Sequence, residues 1–120
     1  QAESSQFLIE RPALSIINFI PKMVKETIGM IRDSISAFAN EDTKLAMNVC
    51  VRDSIVDDLN EKIIKELIEV MVKDPQSVER ALHLIRISKN LERIADLSTN
   101  IAEDTIFMTA GRVIKHHQEE

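Results

Sequence analysis

The amino-acid sequence predicts an all-α protein, folded as one long antiparallel three-helix bundle. Its 120 residues include only two Gly and three Pro, which argues against turn-rich sandwiches and barrels. Apolar residues recur at spacings of three and four along three long stretches, which is the period of amphipathic helices. The breaks between these stretches, "ANED" and "KDPQS", are short. Consecutive helices should therefore run antiparallel, up-down-up, around a single core.

The first helix is predicted from a stripe of apolar residues three or four positions apart: Ile17, Ile20, Val24, Ile28, Ile31, Ile35 and Phe38. Pro21 lacks the N–H that would bond one turn back, and it suits a first-turn position. We therefore expect the main helix to begin near Pro21, after a short helical lead-in or kinked turn over residues 13–20. Residues 1–12 are expected to be a linker or the end of a preceding repeat, so that the bundle occupies residues 13–115.

The second helix is expected from about Thr43 to Lys73. Asp42 precedes it and can cap its first turn through the side-chain carboxylate. Its predicted seam is a heptad-like series with two polar members: Ala46, Val49, Asp53, Val56, Asn60, Ile63, Leu67 and Val70. Asp53 is the informative member, because a buried carboxylate needs either a partner or a proton.

The third helix is expected from Pro75 to about Ile114, with Asp74 as its N-cap and a charged tail over residues 116–120. At about 1.5 Å per residue it would span roughly 60 Å. Every seventh residue along one line is small, and these residues should let neighbouring helices approach closely: Ala81, Ser88, Ala95, Ala102 and Thr109.

Oxygen-bearing side chains recur one turn apart on the second and third helices, and we take six of them as candidate metal ligands: Asp53, Asp57, Glu92, Asp96, Asn100 and Glu103. Like charges four residues apart on a helix repel by roughly 0.2–0.5 kcal/mol per pair. A cation between the two helices would offset that repulsion. Carboxylate oxygens favour Mg²⁺, Mn²⁺, iron or a similar ion such as Zn²⁺.

Two other interpretations of these acids stay open at this point. They could be an ordinary solvated helix face, or they could form salt bridges with Arg86, Lys89 and Arg93 on the third helix. The protein would then be a structural or oligomerisation bundle without a metal. Catalysis ranks third, because the sequence contains no phosphate-binding loop, nucleophile elbow or paired Cys motif.

Composition limits the partners and the compartment. The net charge of −5 makes nucleic acid an unfavourable partner and leaves cations as favourable ones. No apolar run reaches the roughly 18 residues of a membrane span, and we expect neither a span nor a signal peptide. The single Cys50 cannot form an internal disulfide, which fits a cytoplasmic location.

Two segments in this order resemble the helix signatures of the PhoU family of phosphate-uptake regulators: "AMNVCVRDSIVDDLNEKI" and "ERIADLSTNIAE". The segment "LIERPALSIINFIPKMVKETIGMIRDSISAFANED" looks like the entry to the second, C-terminal repeat of that family. The resemblance extends from about Phe7 to Ile114. It departs from the family pattern at Ala95, where Gly is frequent, and at Leu97, where many members have His.

This resemblance implies a three-helix repeat, similar in layout to a spectrin repeat, whose acid-x-x-x-Asp motifs bind metal clusters. The implied ligands are Asp53 and Asp57 on the second helix, with Glu92 and Asp96 on the third. Asn100 and Glu103 fall in the "TNIAE" end of the signature. The implied role is non-catalytic negative control of the phosphate regulon through a sensor histidine kinase and a phosphate ABC transporter, by a homodimer in the cytoplasm.

Overall fold

Three long helices, joined by two tight corners, make up the fold in a computed structural model. The structure describes the backbone of residues 2–119 and the side chains of residues 18–115, 117 and 118. The helices are α1 (Ala2–Asn40), α2 (Thr43–Lys73) and α3 (Val78–Glu119), and a single 3-10 turn, Pro75–Ser77, leads into α3. All three pairs of helices are in contact, so the predicted antiparallel bundle is confirmed. It measures 79 × 17 × 16 Å.

The predicted cap of α2 is present, whereas Asp74 caps the 3-10 turn, and α3 begins at Val78 and not at Pro75 as expected. The backbone N–H of Leu45 donates to Oδ1 of Asp42 at 3.1 Å, which satisfies one of the free donors at the start of α2. The backbone N–H of Gln76 donates to Oδ1 of Asp74 at 3.2 Å, and Pro75 stands at the first position of the turn. Short polar side chains therefore set where each chain reversal ends.

The core runs along the bundle axis and is narrow. Most of the predicted seam of α2 is buried, as is the small-residue line of α3 from Ala81 to Ala102. Thr109, the last member of that line, is half-buried. Because these side chains are short, the helices can approach closely along α3. Within the part of the chain that the structure describes, no helix is long and apolar enough to cross a membrane.

The apolar stripe that predicts α1 does not form the buried face of this helix, although three of its members, Ile20, Val24 and Ile31, are half-buried. Ile28, Ile35 and Phe38 are 47%, 57% and 49% exposed, and the side chain of Ile17 lies outside the described residues. The buried face of α1 consists instead of residues that are one position away and shorter or more flexible: Met23, Thr27, Met30, Ser34 and Ala37. Three closely packed helices leave little room on the axis, so these side chains fit there better than β-branched Ile.

The expected start of α1 near Pro21 is also wrong, because the helix is continuous from Ala2 through Pro12 and Pro21. A proline removes one backbone hydrogen bond but does not by itself end a helix that has other support. At the other end of the chain, α3 passes through Gly111 and continues to Glu119, beyond the expected end at Ile114. The domain boundary between residues 12 and 13 stays a prediction.

Candidate metal centre

Two acids from different helices meet at the middle of the predicted site. Glu92 of α3 and Asp57 of α2 line the same groove between the two helices. Burial of Glu92 raises the pKa of its carboxyl, nearby Lys89 lowers it, and Asp57 and then Asp96 raise it further, with a net increase. Neighbouring carboxyls favour protonation of one of them or a bound cation, because both cannot remain charged without cost.

Asp53 lies one turn before Asp57 and is less exposed than its charge would suggest. Its Oδ1 is buried and has no hydrogen-bond partner. Burial raises the pKa of the Asp53 carboxyl, and the nearby charges of Asp57 and Asp96 add to the increase. A buried acceptor without a donor is costly, typically by about 1–3 kcal/mol, so this oxygen calls for a proton or a cation.

The other three predicted ligands lie at the edge of this group. Asp96 is exposed, yet it is close enough to raise the pKa of both Asp53 and Glu92. Glu103 is exposed and lies towards Cys50, whose thiol pKa is raised by burial first and then by Glu103 and Asp53. Asn100 is exposed on α3.

Glu92 has two further contacts on the groove side of α2 and α3. Nδ2 of Asn60 donates to its Oε2 at 3.1 Å, and Nζ of Lys89 lies 3.7 Å from its Oε1. The groove is an open cavity of about 560 Å³ lined by eight residues: Asp57, Asn60, Glu61, Ile64, Lys65, Ile68, Lys89 and Glu92. The site is therefore accessible from solvent on this side.

The alternative interpretation was that the acids form salt bridges with Arg86, Lys89 and Arg93 of α3. Of these three basic residues, Lys89 forms such a bridge, to Glu92. The main ion-pair network is elsewhere: Arg52 donates through Nε to Glu26 at 2.7 Å and through Nη1 to Asp33 at 2.6 Å. This network joins α2 to α1, next in sequence to Asp53. It was not predicted, because both acids belong to α1 and their distance from Arg52 depends on how the helices pack.

Asn60 also belongs to the site, although its sequence position predicts only a polar member of the α2 seam. Its polarity inside an apolar heptad position was the available indication. Its contact with Glu92 could not be derived, because the spacing within one helix does not specify its register against another helix.

The donor chemistry of the group fits a hard cation, since all its donors are carboxylate or amide oxygens. Two observations support the fit: Asp57 and Glu92 line the same groove, and the Oδ1 of Asp53 is buried and unpartnered. Among the side chains that the structure describes, no three acidic, His or Cys residues converge closely enough to hold an ion. Binding would therefore require Asp53, Asp57 and Asp96 to turn towards Glu92.

Comparison with known proteins gives one family match and several relatives. The model of the PhoU domain matches residues 20–105. The chain is 39% identical over 113 residues to "Phosphate-specific transport system accessory protein PhoU homolog 2" of Thermotoga maritima, which covers 94% of this chain and 48% of that protein. It is 38% identical over 118 residues to the PhoU homolog of Aquifex aeolicus, covering 96% and 52%. The chain thus spans about half the length of these curated relatives.

Proposed function

Because the chain belongs to the PhoU domain family, we propose that it acts as a regulatory accessory of phosphate uptake and has no catalytic activity of its own. The proposal is supported by the names of the relatives, which describe accessory proteins of a phosphate-specific transport system. The family match extends over about half of α1, all of α2 and about two thirds of α3. The phosphate-related role belongs to relatives about twice as long, so it is proposed for the whole protein of which this bundle forms part.

The bundle contributes a metal site in this proposal. Asp53, Asp57, Glu92 and Asp96 bind a divalent or iron-type cation, and Asn100 and Glu103 lie at its edge. The observation that carries this step is the buried Oδ1 of Asp53, which has no hydrogen-bond partner. When bound, the ion supplies positive charge that removes the repulsion between the acids of the two helices.

The proposed partners are a sensor histidine kinase and a phosphate ABC transporter, met in the cytoplasm by a homodimer. The exposed apolar side chains of α1, Ile28, Ile35 and Phe38, support a protein partner, because a stripe of this kind is unusual on a surface that only meets water. In cells lacking the gene, we expect phosphate-uptake genes to be expressed even when phosphate is plentiful. A full-length gene carrying Asp57→Asn and Glu92→Gln should fail to restore repression if the metal site matters.

Thermal unfolding with and without Mn²⁺ tests the metal site directly. A bound ion should raise the melting temperature, with a stabilisation of about 2.7 kcal/mol when Mn²⁺ exceeds its Kd a hundredfold. The double variant Asp57→Asn, Glu92→Gln should lose that increase. The control is Asp58→Asn, Glu79→Gln, which removes two exposed acids from the same two helices. Equal increases in all three proteins would place the bound ions elsewhere, and no increase in the parent at millimolar Mn²⁺ would refute the site.

Two observations favour a second function, a purely structural bundle. Lys89 already lies 3.7 Å from Glu92, and the described acids do not converge on a point. In that case the acids are neutralised by lysine, protons and solvent. Protein purified without chelator would then contain no stoichiometric metal, whereas the favoured proposal expects about one ion or more per chain by elemental analysis.

A further inference from the structure

A buried polar pair stands directly behind Glu92. Asn60 is 4% exposed and Ser88 is fully buried, and Oγ of Ser88 donates to Oδ1 of Asn60 at 2.7 Å. Nδ2 of Asn60 then donates to Oε2 of Glu92 at 3.1 Å. The chain of contacts runs from α3 to α2 and back to α3, one helical turn further along. Burying polar groups this deeply lowers the stability of the fold unless all of their hydrogen bonds are made.

The orientation of the Asn60 amide follows from the chemistry of its neighbours. An ionised Glu92 can only accept hydrogen bonds, so it must face the NH₂ group of the amide. That leaves the amide oxygen facing Ser88, whose hydroxyl can donate to it. Ser88 therefore selects the orientation in which Asn60 offers a donor, not an acceptor, to Glu92.

The hydrogen bond uses only one oxygen of Glu92. With Oε2 held by Asn60, the other oxygen, Oε1, lies on the side of Lys89, whose side chain is 55% exposed. A hydrogen bond to a charged acceptor is about twice as strong as one between neutral groups. The long Glu side chain is thereby held in one rotamer, while its free oxygen remains beside an ammonium group that a metal ion could displace.

We propose that Asn60 is a positioning residue for the metal site: oriented by Ser88, it holds Glu92 so that Oε1 is presented to the ion. This inference rests on the proposed metal binding. It adds Asn60, which is not a proposed ligand and which the spacing of the acidic residues does not indicate. Groups that orient metal ligands typically change metal affinity 10–100-fold when they are removed, and Asn60 is expected to fall in that range.

Calorimetric titration of Mn²⁺ into the full-length protein tests this role. Asn60→Ala should raise the Kd for Mn²⁺ about 10–100-fold. Asn90→Ala is the matched control, because Asn90 is exposed on α3 two residues from Glu92. Its Kd should equal that of the parent. Unfolding without metal is measured in parallel, since a purely structural role would lower the melting temperature but leave the Kd of the folded protein unchanged.

Two further variants separate the possible outcomes. Ser88→Ala keeps the amide and suits the packing, since Ala occupies the equivalent positions 81, 95 and 102. It should weaken Mn²⁺ binding in the same direction but less than Asn60→Ala, and it provides the test if Asn60→Ala fails to fold. In a Glu92→Gln background, Asn60→Ala should have little further effect on the Kd, because Asn60 acts through Glu92.

Failure of this inference can be told apart from failure of the metal site. A parent that binds Mn²⁺, with Asn60→Ala and Ser88→Ala binding equally well, would overturn the positioning role and leave the site intact. A parent that does not bind Mn²⁺ would overturn both. Additive effects of Asn60→Ala and Glu92→Gln would also contradict the proposal, since they would mean that the two residues act independently.

Discussion

Among the side chains that the structure describes, Arg52 is the one that joins α2 to α1 by ion pairs. It bonds two acids one heptad apart, Glu26 and Asp33, and it crosses α1 at Gly29 between them. A Cβ added at Gly29 would lie 2.6 Å from Nη2 of Arg52. The glycine therefore provides the space in which the guanidinium lies, and it does so in the middle of a helix, where Gly normally costs about 0.5–1 kcal/mol relative to Ala.

The two glycines of the chain give a matched prediction. Gly111→Ala, where an added Cβ meets nothing within 4 Å, should stabilise the protein by up to about 1 kcal/mol through helix propensity. Gly29→Ala should stabilise it less, because the guanidinium must move away from Glu26 and Asp33. Urea unfolding measures both values. In an Arg52→Ala background the difference between the two substitutions should disappear, and its persistence would contradict this explanation.

The raised pKa values of Asp53 and Glu92 predict how stability depends on pH without metal. A carboxyl whose pKa is higher in the folded state favours folding when protonated, and this contribution is lost as the pH rises through the folded-state pKa. Glu92→Gln mimics the protonated acid and can still accept from Asn60. We expect this variant to be more stable than the parent at pH 7, and the advantage to vanish below the ordinary Glu pKa of 4.5.

Unfolding of parent and variant in chelator between pH 4 and pH 8 measures that difference. Saturating Mn²⁺ should reverse it at pH 7, because the ion stabilises only a protein that has the ionised ligand. A difference that does not change with pH would mean that Glu92 is not protonated preferentially in the folded state.

At the scale of single helices, the small-residue line of α3 is the feature that sets the distance to its neighbours. Ala95 is fully buried in the middle of this line. Ala95→Leu should overpack the axis and destabilise the protein by roughly 1–3 kcal/mol. Ala110→Leu is the control, since Ala110 is exposed on the same helix and should change stability little. Chemical unfolding distinguishes the two, and equal values would mean that the axis can expand at Ala95.

The corner between α1 and α2 holds a residue in the left-handed conformation. Glu41 has a φ of 52° and pairs with Arg112 of α3. For a residue other than Gly this conformation costs about 1–2 kcal/mol, whereas an exposed ion pair contributes at most about 1 kcal/mol. Glu41→Gly should therefore be more stable than Glu41→Ala by about 1 kcal/mol, as both lose the ion pair but only Ala keeps the strain. Thermal unfolding that ranked Ala above Gly would contradict this.

At the scale of the whole molecule, the sequence predicted the three helices, their order and the interior of α2 and α3. These predictions succeeded because small and apolar residues repeat in heptads along α2 and α3. The periodicity of α1 did not identify its buried face, because two stripes lie one residue apart and the more hydrophobic one is exposed at Ile28 and Ile35. Only the space left by the neighbouring helices decides between them, and no property of α1 alone contains that information.

The acids of the candidate site were predictable as aligned rows within each helix, but their contacts were not. Asp57 and Glu92 line one groove, and Asn60 donates to Glu92, only because α2 and α3 adopt one particular register. The contact of Arg52 with α1 depends in the same way on the rotation of α2. Pairings between helices are thus the part of the site that sequence periodicity leaves open.

The elongated shape of the bundle affects how its molecular mass can be measured in solution. Its radius of gyration is 19.7 Å, whereas a compact domain of this length would have about 14 Å. A rod more than four times as long as it is wide diffuses slowly for its mass. On a sizing column calibrated with spherical standards, a monomer of this bundle should therefore elute early, near the position of a dimer. Light scattering, which reports mass without assuming a shape, is the measurement that can test the proposed homodimer.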